Sequence, residues 1–297
     1  MRAIILASIL ACLPLLAEDE ATCPLCGKKV AAFEDSPKGA LRKFQFALIT
    51  RDEALLRDAT HGLDEKMQKQ AVDADPRRWE IARWIVFECQ VDGDHATLQM
   101  GETGSDRRNP LPAIRVEGKW KIDLGPAHAA AQETVAKVLL RQIVSTESVW
   151  RQTDSDGNGA QDYWTKDIAA FYYMNDGAGS MLKYVDLRLA MADRMGLASY
   201  TKEPAAPKNG YWLRVMKTDD GGVAYVLDGD GDGVSNTNPA KYAFCAYPAE
   251  YGKGLTLTYI VNEEGVVYEK DLGPDAKEGI DAWPGADPTT KGWKACE

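Results

Sequence analysis

The sequence predicts an α+β protein in two parts. A small domain of helix plus curved antiparallel sheet is followed by a long helix packed on a second antiparallel sheet. Three observations carry this reading. Residues 39–59 place Leu41, Phe44, Leu48, Leu55 and Leu56 near helical spacing, and four strand-like segments follow before residue 126. Residues 127–152 hold Val135, Val138, Leu139, Ile143, Thr146 and Trp150 at intervals of three and four, one apolar stripe on a long helix. Five short strand-like segments then close the chain.

In the first domain, Asp52 stands where a second helix would need its cap. The strand candidates are "EIARWIVFECQVDG", "HATLQMGE", "PLPAIRVEG" and "KWKIDLG", with Gly93 and Gly118 in the turns, as hairpins require. In "RWIVFECQV", Ile85, Phe87, Cys89 and Val91 alternate with Trp84, Val86, Glu88 and Gln90, which puts Cys89 on the more apolar face as a core residue. A helix against a curved sheet resembles the cone-shaped NTF2-like domains of exported bacterial proteins. That resemblance implies either a small-ligand pocket or an adaptor, with His61 and His95 as acid–base candidates; His95 falls in the turn "DGDH", where a solvated histidine is expected.

In the second domain, "YWTKDIAAFYYM" follows the long helix, "KYVDLRLAMADRMG" reads as another helix, and "YTKEPAAPKNG" as a Pro/Gly connection. The strand candidates are "YWLRVMK", "GVAYVLD", "YAFCAYP", "LTLTYIVN" and "GVVYEKDL". Tyr163, Trp164, Tyr172 and Tyr173 could line a carbohydrate or peptide surface, but at this spacing the expectation is a packed core.

Bulk properties narrow the partners. The chain has 297 residues, 45% hydrophobic and 27% charged, and a net charge of −10. A polyanion without a Lys/Arg stripe repels nucleic acid and anionic lipid, so neither is expected as a partner. The first 17 residues carry Arg2, an apolar run over 3–17 and an acidic boundary at Glu18, Asp19 and Glu20. This is the layout of a secretory signal peptide cut after Ala17, and it is shorter than a membrane-spanning helix. Export to the periplasm or cell surface is the expectation, with no transmembrane helix in the mature chain, whose charge becomes −11 once Arg2 is lost. The segment "ILAC" offers Cys12 as an alternative lipid anchor. Residues 18–38 form a tether carrying "CPLCG". Cys23 and Cys26 are half of a zinc ribbon, and the missing second half argues against zinc there. A bridge between Cys245 and Cys296 is one pairing the spacing leaves open. The organisation is thus 1–17 signal, 18–38 tether, 39–126 first domain and 127–297 second domain.

Two loops carry the metal-ligating pattern. "DSDGNGAQD" places Asp154, Asp156, Asn158, Ala160 and Asp162 at positions 1, 3, 5, 7 and 9 of an EF-hand-type loop; "DGDGDGVSN" does the same with Asp228, Asp230, Asp232, Val234 and Asn236. Each has glycine at position 6, Gly159 and Gly233. Carboxylates about 4 Å apart repel by roughly 4 kcal/mol at an effective dielectric near 20, which a cation removes. The bidentate glutamate at position 12 is missing, Thr165 and Pro239 standing there, so the loops are closer to the short aspartate loops of extracellular calcium modules. The competing reading is that Asp, Asn and Gly simply suit exposed turns.

The blocks "NGYWLRVMKTD" and "YAFCAYPAEYGKGLTLTYIVNEEGVVYEKDLGPD" are similar to an exported bacterial family, domain-of-unknown-function family 2950. "LRQIVSTESVWRQTDSDGNGAQDYWTKDIAAFYY" resembles the helix-to-loop signature of that family and of pilin-like, pseudopilin-like proteins. The resemblance implies export and a pilin-like head with a structural calcium in a late loop, but no reaction. A pilin's apolar assembly helix joins its head directly; here a cysteine motif and a folded domain intervene, so pilus assembly is not expected. Motifs for hydrolytic or phosphate chemistry are missing, and three histidines leave few general bases. The expectation is a non-catalytic, calcium-stabilised cell-envelope protein, a binding or structural module for an envelope protein or polysaccharide. The alternative is a small-ligand-binding or hydrolytic NTF2-like domain with a C-terminal accessory domain.

Overall fold

A computed structural model describes residues 33–74, 84–175, 179–227 and 236–296, and the backbone of 21–22 and 29–30. The signal segment, Cys12, Cys23 and Cys26, and Asp228, Asp230, Asp232 and Val234 lie outside the described residues. Strands β1 (Ala21–Thr22) and β2 (Lys29–Val30) form a short antiparallel pair. The chain divides into two compact units at His128/Ala129. Both are mixed α and β, with antiparallel sheets.

In the first unit, α1 (Pro37–Thr50) starts where Ser36 Oγ accepts the Gly39 N–H, with proline in the first turn. Asp52 caps α2 (Glu53–Ala59) by accepting from Leu55 N, and Asp64 caps α3 (Glu65–Asp73) by accepting from Met67 N. The third helix went unforeseen because only Gln68 and Val72 are buried in its nine residues, leaving no apolar stripe to read. The sheet runs β3 (Thr60–His61), β7 (Lys119–Asp123), β6 (Asn109–Val116), β5 (His95–Gly101), β4 (Ile85–Asp92). Only β3–β7 is parallel. Pro110 and Pro112 sit in β6 ahead of Ala113, where pairing with β7 begins, so the missing N–H groups take nothing from that ladder. Leu41, Phe44 and Leu48 of α1 fill the sheet's inner face against Leu98, Met100, Trp120 and Ile122.

The expected alternation along β4 is broken. The β4–β5 register shifts between Val86 and Glu88, so Val86 pairs with Met100 and Cys89 with Leu98. This bulge at Phe87 moves Val86 and Cys89 onto the packed face together, and leaves Ile85 and Phe87 exposed. Arg108 covers the Phe87 ring with its guanidinium 3.5 Å from the centroid.

The second unit is built on α4 (Gly125–Thr153) and the antiparallel sheet β14 (Lys294–Ala295), β13 (Tyr268–Asp271), β12 (Leu257–Asn262), β11 (Ala243–Pro248), β9 (Tyr211–Val215). Strand β11 is buried on both faces. Phe244 and Ala246 pack with Leu139, Leu140 and Ile143 of α4, while Cys245 and Tyr247 meet Trp283 and Trp293 on the other side. Val138 is 53% exposed, so the helix stripe runs instead through Ala136, Leu139, Leu140, Ile143, Glu147 and Trp150. The short α5 (Ala170–Tyr173) follows α4 in sequence, and of the long segment 183–196 read as helical, only α6 (Leu187–Met191) forms, capped by Asp186. Within "GVAYVLD", the described residues make isolated bridges at Ala224 and Leu227 rather than a strand, because Tyr225 turns its carbonyl to Thr165 Oγ1 and Asn238 Nδ2.

Cys245 and Cys296 are both free. Cys245 belongs to the Trp283 side of the sheet and Cys296 packs on the α4 side, so the sheet itself separates the two thiols. None of the helices described is long and apolar enough to cross a membrane.

Candidate functional site

The first acidic loop begins as α4 ends. Trp150 is fully buried, its ring 5.3 Å from Trp164 and 5.6 Å from Phe171, which fixes where the helix must stop relative to the core. Ser155 N and Oγ then both donate to Trp150 O at 3.3 Å. Asp154 adopts a left-handed backbone (φ 46), as Gly157 and Gly159 do (φ 69 and 83), so the chain coils tightly. Asp154 accepts the Gly159 N–H on both oxygens, at 3.3 and 3.1 Å. Asn158 donates to Asp156 Oδ2 at 3.0 Å and accepts from Ala160 N at 2.7 Å. Arg151 secures the exit, donating to Gln161 O and to Tyr163 OH.

The loop leads into β8 (Tyr163–Trp164), and the second acidic loop leads into β10 (Thr237–Asn238). These two strands pair antiparallel, Trp164 opposite Thr237 and Tyr163 opposite Asn238. Thr165 N donates to Asn236 O at 3.0 Å. Leu227 and Asn236 close the base of the second loop through Asn236 N–H to Leu227 O at 2.9 Å. Two motifs 74 residues apart at their first aspartates therefore end on one short ladder.

Behind the ladder stands Glu147 of α4, fully buried. Its Oε2 accepts the Trp164 N–H at 3.1 Å, while Oε1 has no hydrogen-bond partner. Buried oxygens without a partner recur here: Asp156 Oδ1, Asn236 Oδ1 and Thr237 Oγ1. Asp162 is also buried. Burial pushes the Glu147 carboxyl well above the ordinary range, against the pull of the Trp164 N–H, and the Asp162 charge adds to the rise. Burial and the Asp162 charge likewise push Asp156 up to about 6. Leaving such groups without compensation costs about 1–3 kcal/mol each, more where charged.

Of the residues the sequence singled out, Asp154, Asp156, Asn158, Ala160 and Asp162 share one coiled loop, whereas Asn236 lies opposite Thr165, at the other end of the ladder from Asp162. Glu147 and Thr237 were missed. Glu147 occupies the apolar phase of α4 between Ile143 and Trp150, and a glutamate in that phase was the legible signal. Among the described residues no three His, Cys, Asp or Glu side chains are placed to hold a metal ion by themselves. The buried oxygens without partners are of mixed kind, amide and hydroxyl beside carboxylate.

Two clefts lie elsewhere in this unit. One, of about 460 Å³, has the buried Asp167 and Asp193 in its wall with Met195, Gly196 and Arg214; the other, of about 440 Å³, lies on the far side of Arg214. Asp167 accepts from Ala170 N at 2.9 Å and Tyr200 OH at 3.1 Å, so it braces the backbone. Arg214 pairs with Asp281 and donates to Glu278 O. His61 and His95 are exposed and line neither cleft. Trp164 is buried, and Tyr163, Tyr172 and Tyr173 pack against the core, so these aromatics form no open platform.

The fold is thus a two-unit α+β protein with its oxygen-rich centre where α4, β8 and β10 meet. Residues 31–296 match the family described as "Protein of unknown function (DUF2950)", and the chain belongs to that family. No curated protein and no solved structure matches it.

Proposed function

We propose that this is a non-catalytic, exported cell-envelope protein, stabilised by calcium, serving as a binding or structural module for an envelope protein or polysaccharide. The observation that carries the reading is the β8–β10 ladder, which anchors the end of each aspartate loop on one strand pair, with buried oxygens that lack partners nearby. The apolar run of residues 3–17 before Glu18 supports export, with Cys12 as the anchor in a lipidated form. A long helix on an antiparallel sheet agrees with the pilin-like resemblance of the second unit. The first unit keeps the helix-on-sheet arrangement of the NTF2-like resemblance, and its inner face is filled by Phe44, Leu48 and Trp120, which favours an adaptor over a ligand pocket.

Sites of this extracellular type bind calcium at about 10⁻⁴–10⁻³ M. At ten times the dissociation constant the folded state gains about 1.4 kcal/mol. Calcium in the millimolar range should raise the melting temperature, chelator should lower it, and Asp230→Ala should remove most of the gain. An unchanged melt with calcium and with chelator would rule the reading out. N-terminal sequencing of native protein should find Glu18 first.

A further inference from the structure

The cleft of about 460 Å³ in the second unit opens onto the edge of the sheet. Arg214, Val215 and Met216 all line it, and consecutive strand residues face opposite sides, so the cleft meets β9 edge-on. Register decides what that edge offers. Met216 N–H donates to Ala243 O and Ala249 N–H to Gly210 O, so the even-numbered residues from 210 to 216 make the bonds to β11. The odd-numbered residues turn their backbone groups outward. Tyr211 N–H is taken by Lys208 O at 3.0 Å, and Leu213 N–H by Ala192 O at 2.9 Å. Val215 N–H, next along the edge, has no acceptor among the described residues, while Val215 O accepts Arg214 Nε at 3.3 Å. Beyond it, Lys217 O is closed off by Tyr225 N–H at 2.9 Å. The bare edge is therefore one N–H long. An added peptide strand needs a run of such groups and does not fit here; a single acceptor group does.

The rest of the lining says what carries that acceptor. Arg214 is committed to Asp281 and Glu278 O, and Lys217 to Asp281. Lys166, exposed at the cleft, makes no ion pair among the described residues. The two wall carboxylates are occupied: Asp193 holds the N–H groups of Ile168, Ala169 and Gly196, and Asp167 holds Ala170 N–H and Tyr200 OH. One lysine and one N–H remain, which suit the two oxygens of a carboxylate rather than the three of a phosphate. Met195, Met216, Ala224 and Val226 supply apolar wall. The volume lies within the range of small-molecule sites. We propose that this cleft binds a small organic acid, with its carboxylate on Val215 N–H and Lys166 and its apolar part against Met195, Met216, Ala224 and Val226. The site lies wholly within the second unit and does not depend on calcium.

Amide NMR on the full mature chain tests this, with octanoate, octanol and octylammonium as probes of one tail and three head groups. Octanoate should move the Val215 amide signal downfield and saturate it. Octanol lacks the charge and should bind roughly tenfold more weakly, and octylammonium should not bind. Lys166→Gln should bring octanoate down to the affinity of octanol. Ala224→Phe places a ring in the apolar part and should abolish binding of both. Lys166 and Ala224 are exposed, so neither substitution disturbs the core. A Val215 amide that octanoate leaves unmoved overturns the proposal, and so does equal affinity of wild type for octanoate and octanol. Signals that move together along Leu213, Val215 and Lys217 would mean that a chain has added to the edge, which also overturns it. The calcium reading stands or falls separately, by its melts.

Discussion

Asp193 Oδ2 accepts the backbone N–H of Ile168 at 2.7 Å and, beside it, that of Ala169 at 3.1 Å. Its Oδ1 accepts from Gly196 N at 2.9 Å. One buried carboxylate thus pins the segment that follows β8 to the turn after α6. Gly196 is required at that contact, because a Cβ there would lie 2.3 Å from Asp193 Oδ2 and 2.3 Å from Asp167 Cβ.

Asp193→Ala would leave three buried N–H groups without acceptors. Each costs about 1–3 kcal/mol, offset in part by removing a buried charge, so a net loss of about 2–4 kcal/mol is expected. Asp193→Asn keeps one acceptor oxygen and should lose less. Urea unfolding of the two variants checks the order; equal stability of Asp193→Ala and wild type would refute the pinning role.

Asp167 gives a pH test. Burial, helped by the Asp193 charge, lifts its folded-state value from 3.8 to about 6. The folded state therefore holds this proton more tightly than the unfolded chain. The associated stability is complete below the unfolded value and is lost as pH rises through the folded one, about 3 kcal/mol at most. Asp167→Asn cannot titrate. Its stability relative to wild type should climb between about pH 4 and pH 7 and then level off. Thermal melts across that range check it, and a flat difference would mean that Asp167 ionises normally.

The thiols give a third test. Cys245 is fully buried, and burial pushes its thiol up to about 12. Cys296 is partly exposed; burial, then its hydrogen bond to Glu269 Oε2 at 3.3 Å, pushes it up to about 11. Neither should react quickly with alkylating reagents at neutral pH, and Cys245 only after unfolding. Glu269→Gln should speed Cys296 modification, since it removes the charge that opposes the thiolate. Peptide mapping that finds a bridge between these two cysteines would overturn the arrangement of the sheet.

What was legible in the sequence follows from which signals are local. The cap at Asp52, the turns at Gly93 and Gly118, and the long helix through Trp150 are each set by neighbouring residues, and all stand in the structure. The bulge at Phe87 was not legible, since it depends on register with Met100 and Gln99 across the sheet. The strand expected around Tyr225 failed for a related reason: its carbonyl is claimed by Thr165 and Asn238, residues 60 and 13 positions away. The candidate site was half legible. Alternating aspartates advertise themselves, whereas a lone glutamate in an apolar stripe gains meaning only once the Trp164 N–H arrives beside it from elsewhere in the chain.

Gly279 offers the last test, because it couples backbone conformation to core packing. Its φ of +72° lies in the left-handed region, and a Cβ there would meet Cys245 Sγ at 2.7 Å and Tyr247 Cδ1 at 3.0 Å. Cys245 and Tyr247 are buried on β11, so neither can swing away cheaply. Gly279→Ala should therefore combine a conformational penalty of about 1 kcal/mol with an overpacking penalty of about 1–3 kcal/mol. Cys245→Ala alone should also destabilise, by opening a small cavity where the sulfur packed. In the double variant the new methyl enters the space that the sulfur left. The two losses should then fall short of additive by about 1 kcal/mol, while the φ penalty and the Tyr247 contact remain. A double-mutant cycle by chemical denaturation measures this directly. Strictly additive losses would show that Gly279 is held by its backbone angle alone and that the contact with Cys245 carries no energy.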